Sequence, residues 1–162
     1  LNAYPELKRQ SILIVDIGFK TTDLFRIEQD IPLPSSTTLH FGMSDIARDV
    51  IDYANGRIDG KTYTINQADD ILDNGFIVNG KRQFIPEEIQ VNSLRNVFNA
   101  IWARIVELFP DYGTFDRIIF TGGSSLRFRE FISSIPLESM AISSDAQLAN
   151  AIGYRDMLEW CL

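Results

Sequence analysis

The chain has 162 residues, 45% of them hydrophobic and 23% charged, with a net charge of −7; this is the make-up of an ordinary globular domain large enough for a sizeable core. An acidic surface repels phosphate backbones, so direct DNA or RNA binding is not expected, and no apolar run approaches the ~20 residues of a membrane span. A single histidine, His40, excludes sites built from several histidines, and a single cysteine, Cys161, excludes an internal disulfide and fits a reducing cytoplasm.

The start, LNAYPELKRQ, has neither an initiator Met nor a hydrophobic h-region, so a fragment without a signal peptide is expected. Residues 11–16 form a short apolar run that predicts a central strand. Thr21 to Glu28 alternates and predicts a second strand, with Gln29 and Asp30 as the turn. Ile31 to Phe41 contains Pro32 and Pro34, so any strand there lies at an edge or starts late, near Thr37. Gly42 breaks it, and Ser44 is expected to cap a helix beginning near Asp45, with Ile46, Ala47, Val50, Ile51 and Ala54 at helical spacing up to Asn55-Gly56. Asn66 is placed to cap a short helix through Ile71 and Leu72 that ends at Asn74-Gly75. Phe76 to Ile85 predicts a hairpin turned by Asn79-Gly80, a type I′ pair.

Pro86 opens the longest predicted helix, with Glu87 and Glu88 favourably placed in its first turn. Ile89, Leu94, Val97, Phe98, Ile101, Trp102, Ile105 and Leu108 give it a wide apolar stripe, read as core. RIIF, Arg117 to Phe120, predicts another strand, Leu126 to Ile132 a short helix, and Leu137 to Ile142 a last strand. Ser144 is expected to cap a final helix through Leu148, Ala149, Ile152, Met157 and Leu158. The order implies an α/β domain over 1–162. Its mixed sheet starts with an antiparallel three-strand meander and continues with alternating helices and strands, with a small insertion near 56–85.

Two loops carry chemistry. ILIVDIGFKTTDLF, residues 12–25, delivers one carboxylate, Asp16, from an apolar strand into a Gly and Thr turn. Gly18 lets the backbone turn tightly and bring N–H groups close to an anion. Thr21 and Thr22 offer hydroxyls, and Asp16 can hold a metal ion or orient a water; the plainer reading is an ordinary hairpin with Gly in its turn. In IIFTGGSS, residues 118–125, two glycines follow a strand and lead into a helix, an arrangement that admits a flat ligand beside the backbone. A glycine pair after a strand is by itself a weak signal, and the first loop is the more informative of the two. Two strands of one sheet that both end in Gly and hydroxyl loops point to a nucleotide crevice.

These loops, in this order, resemble the actin-like ATPase superfamily, whose nucleotide domains are ribonuclease H-like. DIGFKTTD is similar to its second phosphate motif, IIFTGGSSL to its adenosine motif, and AQLANAIGY, residues 146–154, to its last helix. The TTD continuation and compact size resemble the ParM/StbA-like and Alp-type plasmid segregation proteins more than actin, heat-shock chaperones or sugar kinases. The resemblance covers the second half of such a two-domain protein and implies binding of ATP or ADP with Mg2+. It places Asp16 on the magnesium shell or the attacking water. Gly18, Phe19, Lys20, Thr21 and Thr22 would then lie at the β- and γ-phosphates, Gly122 and Gly123 beside the adenosine, and Ser124 nearby. Arg127 would stack on the base or stay on the surface, and Gly42 and Ser44 stand where the superfamily approaches ribose or phosphates. Lys20 and Phe19 depart from the small residues common in this turn. The resemblance further implies self-association into filaments, DNA contact only through an adaptor protein, no membrane and a cytoplasmic location. The isolated domain is expected to bind nucleotide weakly and hydrolyse it poorly, since half the donors are missing. A non-hydrolysing assembly module of the pilus or division type, or half of a sugar or acyl kinase, remain the alternatives.

Overall fold

The computed structural model describes residues 9–34, 36–58, 60, 62–143 and 145–146. A mixed sheet is built on two hydrophobic strands, β1 (Ser11–Ile17) and β7 (Arg117–Thr121), which lie side by side and parallel, with Ile12 opposite Arg117 and Asp16 opposite Thr121. On the far side of β1 the backbone folds straight back as β2 (Thr22–Glu28), antiparallel, with Asp16 opposite Asp23 and Ile17 opposite Thr22. Gln29 and Asp30 make the next turn with φ of 49° and 70°, the left-handed pair of a type I′ hairpin. The third strand of the meander is divided. β3 (Ile31–Pro32) pairs with the end of β2 and β4 (Thr37–Leu39) with its start, because Pro32 and Pro34 cannot donate to a continuous ladder. On the other flank β8 (Met140–Ile142) runs parallel to β7, giving the order β3-β2-β1-β7-β8 with β4 beside β2.

Helices α1 (Met43–Asn55), α3 (Glu87–Leu108) and α4 (Arg129–Ser134) contribute to the cores below. Leu13, Val15, Ile17 and Leu24 alternate toward the main core, where they meet Val97, Phe98, Ile101 and Ile105 of α3 and Ile118 and Phe120 of β7, as period-two strands and a helical stripe require. Phe98 sits at its centre, stacked on Phe128 and Phe131 with centroids 6.1 and 5.7 Å away. Leu108, expected on the stripe, is 37% exposed at the helix end.

A second core continues along the same buried stripe of α1, whose Met43 and Ile46 face the main core. Ala47, Val50, Ile51 and Ala54 pack against Tyr63, Ile71, Phe76 and Ile85. These come from the 56–85 segment, which holds α2 (Ala68–Asn74) and the hairpin β5 (Phe76–Val78) and β6 (Lys81–Gln83). Asn79 and Gly80 turn that hairpin with φ of 49° and 74°, as the sequence predicts.

Several boundaries differ from the sequence expectation. The cap of α1 is Gly42, not Ser44, which lies in the first helical turn. Thr64, not Asn66, starts the short helix: a 3-10 turn at Ile65–Gln67 precedes α2, and the Gln67 Oε1 accepts from the Thr64 N–H at 3.0 Å. The expected helix over 126–132 is a 3-10 turn, Ser125–Phe128, running into α4. The last strand starts only at Met140, because a turn just before it is closed by Met140 N–H donating to the Leu137 carbonyl at 3.3 Å. The expected final helix and its Ser144 cap lie outside the described residues. No helix among the described residues is long and apolar enough to cross a membrane.

Candidate functional site

The turn between β1 and β2 is held by the helix that follows the meander. Gly18 N–H donates to the Thr21 carbonyl at 2.8 Å and closes the turn. The Gly18 carbonyl then accepts from Met43 N–H at 3.3 Å, and the Phe19 carbonyl from Ser44 N–H at 2.6 Å. Two carbonyls thus satisfy first-turn donors of α1 that would otherwise lack partners, while the Asp45 carboxylate accepts from Gly42 N–H at 3.1 Å. A Cβ on Gly42 would stand 2.7 Å from the Phe19 oxygen and 2.8 Å from the Gly18 oxygen, so this approach admits only glycine. The helix start, which the resemblance placed near ribose or phosphate through Gly42 and Ser44, is occupied by the turn itself.

This clasp also orients the turn. In a trans peptide the C=O of one residue and the N–H of the next point in opposite directions, and no peptide among the described residues is cis. With the Gly18 and Phe19 carbonyls aimed at α1, the N–H groups of Phe19 and Lys20 aim away from it. Successive N–H groups presented together form an anion-binding concavity. Lys20 is exposed and Phe19 is 46% exposed on the same turn, while Thr21 is half-buried. Thr22 differs from the sequence expectation. It is fully buried, and its hydroxyl donates to the Phe41 carbonyl at 2.8 Å. That bond ties β2 to the segment before α1, where the sequence reading had the hydroxyl as a phosphate donor.

The second glycine loop touches the first. Ser124 N–H donates to the Ile17 carbonyl at 3.3 Å, and the Ser124 hydroxyl to the Gly18 carbonyl at 3.4 Å. Gly122 is buried at φ +87°, a conformation that disfavours any side chain, and its added Cβ would collide with Asp16 Oδ1 and lie 2.5 Å from the Ile17 carbonyl oxygen. Ser125 closes the loop, its hydroxyl donating to the Gly122 carbonyl at 2.9 Å, and Gly122 N–H donates to the Ala146 carbonyl at 3.0 Å. Gly123 is exposed and Ser124 half-buried. The two loops that the sequence assigns to one crevice are therefore adjacent and bonded to each other.

Strand register reveals a feature that the sequence reading missed. Thr38, Asp23, Asp16 and Thr121 are successive partners across β4, β2, β1 and β7, and register partners share one face of a sheet. Asp23 Oδ1 accepts from the Thr38 hydroxyl at 2.5 Å. Directly opposite cross-strand residues have Cβ atoms about 4.5–5.5 Å apart, and like charges so placed are destabilising. No group of three or more metal-ligating side chains occurs among the described residues. The signal was in the sequence: a four-residue turn from Gly18 to Thr21 places residue 16 opposite residue 23.

Arg127 lies on the exposed side of the second loop and pairs with Asp69 of α2 at 3.6 Å, a bridge from the main body to the 56–85 segment.

The mixed sheet with its two glycine loops at one end has the architecture of an actin-like fold. The family model for the C-terminal part of archaeal MreB-like actin homologues matches residues 14–134, and the chain belongs to that family. A crystallised archaeal actin homologue superposes at a TM-score of 0.83 with 22% identity, over 99% of this chain and 51% of that one. ParM from a 15-stranded filament of Clostridium botulinum gives 0.77 with 25% identity, over 96% and 48%. MreB5 of Spiroplasma citri bound to ADP gives 0.73 with 22% identity, over 95% and 55%. The chain spans about half the length of these structures. No curated protein sequence matches it.

Proposed function

We propose that this chain is the nucleotide-binding C-terminal half of an actin-like ATPase that polymerises into filaments and segregates plasmid DNA through an adaptor protein in the cytoplasm. The observation that carries the reading is the contact between the two glycine loops beside Asp16, with Gly122 packed on the Asp16 carboxylate. ADP in one MreB relative and the ParM filament support the nucleotide and the assembly. The net charge of −7 agrees with DNA contact through a separate protein.

In this reading the N–H groups of Phe19 and Lys20, with Gly18, Lys20 and Thr21 around them, bind the β- and γ-phosphates. Gly122, Gly123 and Ser124 line the nucleoside side. Asp16 holds the magnesium shell or orients the attacking water, and Asp23 opposite it is a second carboxylate for the same task. Mg2+, where bound, neutralises charge on the phosphates. The other half of the protein closes over the nucleotide and excludes water, so this half alone turns ATP over poorly.

ATP turnover with magnesium in the intact protein, with and without Asp16→Ala, tests this. Loss of a group that acts on the transition state lowers kcat by about 10²–10³; an unchanged rate would remove Asp16 from the mechanism. Sedimentation on ATP addition reads assembly in the same samples. A protein that neither hydrolyses ATP nor pellets with it is a passive actin-fold scaffold.

A further inference from the structure

The sequence holds three Asn-Gly pairs, at 55–56, 74–75 and 79–80, and the structure places them in unlike surroundings. An asparagine before glycine can lose its terminal amide spontaneously. The backbone nitrogen of the glycine attacks the asparagine Cγ, a new bond forms between them, and the bond from Cγ to Nδ2 breaks as ammonia leaves. Water then opens the resulting succinimide at either carbonyl, giving aspartate or the isomer whose backbone runs through the former side chain. No oxidant is needed. Glycine favours the step because no Cβ hinders the attacking nitrogen.

At Asn55 both ends of the amide are held: its nitrogen donates to the Tyr63 carbonyl at 3.0 Å, and its oxygen accepts from Tyr63 N–H at 2.7 Å. The attacking nitrogen, Gly56 N–H, donates to the Asp52 carbonyl at 3.0 Å. At Asn74 the amide donates to Asp70 at 2.8 Å, and Gly75 N–H to the Ile71 carbonyl at 2.9 Å. Asn79 has none of these restraints. It is exposed at the tip of the β5–β6 hairpin, where its amide has no hydrogen bond among the described residues, and nothing lies within 4 Å of a Cβ placed on Gly80. The ladder bonds of a two-residue turn belong to its flanking residues, here Val78 and Lys81. The tip of this short hairpin, beyond Phe76 in the second core and with Lys81, Arg82 and Gln83 all exposed, frays at little cost.

We propose that Asn79 is a site of spontaneous deamidation and isoaspartate formation in the folded protein, while Asn55 and Asn74 are protected by their hydrogen bonds. Conversion puts a carboxylate beside Lys81 and Arg82, and the isomerised linkage lengthens the turn that fixes the hairpin register.

The test incubates the intact protein in mildly alkaline buffer and follows the three peptides by mass spectrometry, with fragmentation that tells isoaspartate from aspartate. The Asn79 peptide converts about tenfold or more faster than the other two, since each protecting hydrogen bond is worth a severalfold factor. In denaturant the three rates converge, and in the folded Gly80→Ala variant the Asn79 rate falls. Native-state rates that are equal at the three sites, or slowest at Asn79, overturn the proposal.

Discussion

Gly42→Ala isolates the clasp between the phosphate-side turn and helix α1. Residue 42 has φ −173°, extended backbone that any residue adopts, so the substitution acts through space alone. Ordinary contact begins at 3.4 Å and the Phe19 oxygen stands at 2.7 Å, so the turn must retreat by 3.4 − 2.7 = 0.7 Å. The same argument at the Gly18 oxygen gives 3.4 − 2.8 = 0.6 Å. A retreat of that size takes the 3.3 Å bond from Met43 N–H to about 3.9 Å, beyond hydrogen-bond range. Overpacking costs about 1–3 kcal/mol, and the lost hydrogen bond about 1 kcal/mol. The smaller unfolded-state entropy of alanine returns about 0.4–1 kcal/mol. The net loss is about 2 kcal/mol, or about 1 M in the urea midpoint for an m-value near 2 kcal/mol/M. Gly113→Ala is the control, because nothing lies within 4 Å of its Cβ, and it should be neutral or stabilising by up to about 1 kcal/mol. Urea unfolding followed by circular dichroism reads both variants. If Gly42→Ala unfolds at the same midpoint as Gly113→Ala, the clasp does not exist as described.

Thr22→Val leaves the Phe41 carbonyl without its donor and should cost about 1–2 kcal/mol in urea unfolding, while nucleotide affinity measured by calorimetry stays unchanged. Thr21→Val should show the reverse pattern, with weaker nucleotide binding and a midpoint close to the parent. Arg127→Ala removes a surface ion pair with Asp69 and should shift stability by no more than about 1 kcal/mol; a larger shift in thermal unfolding would give that bridge a structural role.

Much of this fold was legible because its signals are local. The alternation of Leu13, Val15 and Ile17, the turn pairs Gln29-Asp30 and Asn79-Gly80, and the stripe Val97, Phe98, Ile101 and Ile105 each follow from one segment's own periodicity. The two glycine loops were recognisable by residue type, and the parallel pairing of β1 with β7 explains why they meet. What was missed depends on contacts between distant segments. Ser44 looks like the better cap, yet Gly42 holds that place because two carbonyls from residues 18 and 19 press against it. Thr22 reads as a ligand donor until burial turns its hydroxyl toward Phe41. Asp23 is one polar residue among several in a strand until register sets it opposite Asp16. The second core under α1 draws its residues from the 56–85 segment, whose short strands and short helices have little periodicity to read.

The central claim is that nucleotide lies against the two bonded loops. Backbone amide NMR of the protein titrated with ADP and magnesium tests it most directly, since this method detects weak binding. The account predicts the largest shifts at Phe19, Lys20, Gly122 and Gly123, with Lys81 and Arg82 of the distant hairpin unmoved. Shifts absent at saturating nucleotide, or confined to the 56–85 segment, would contradict it.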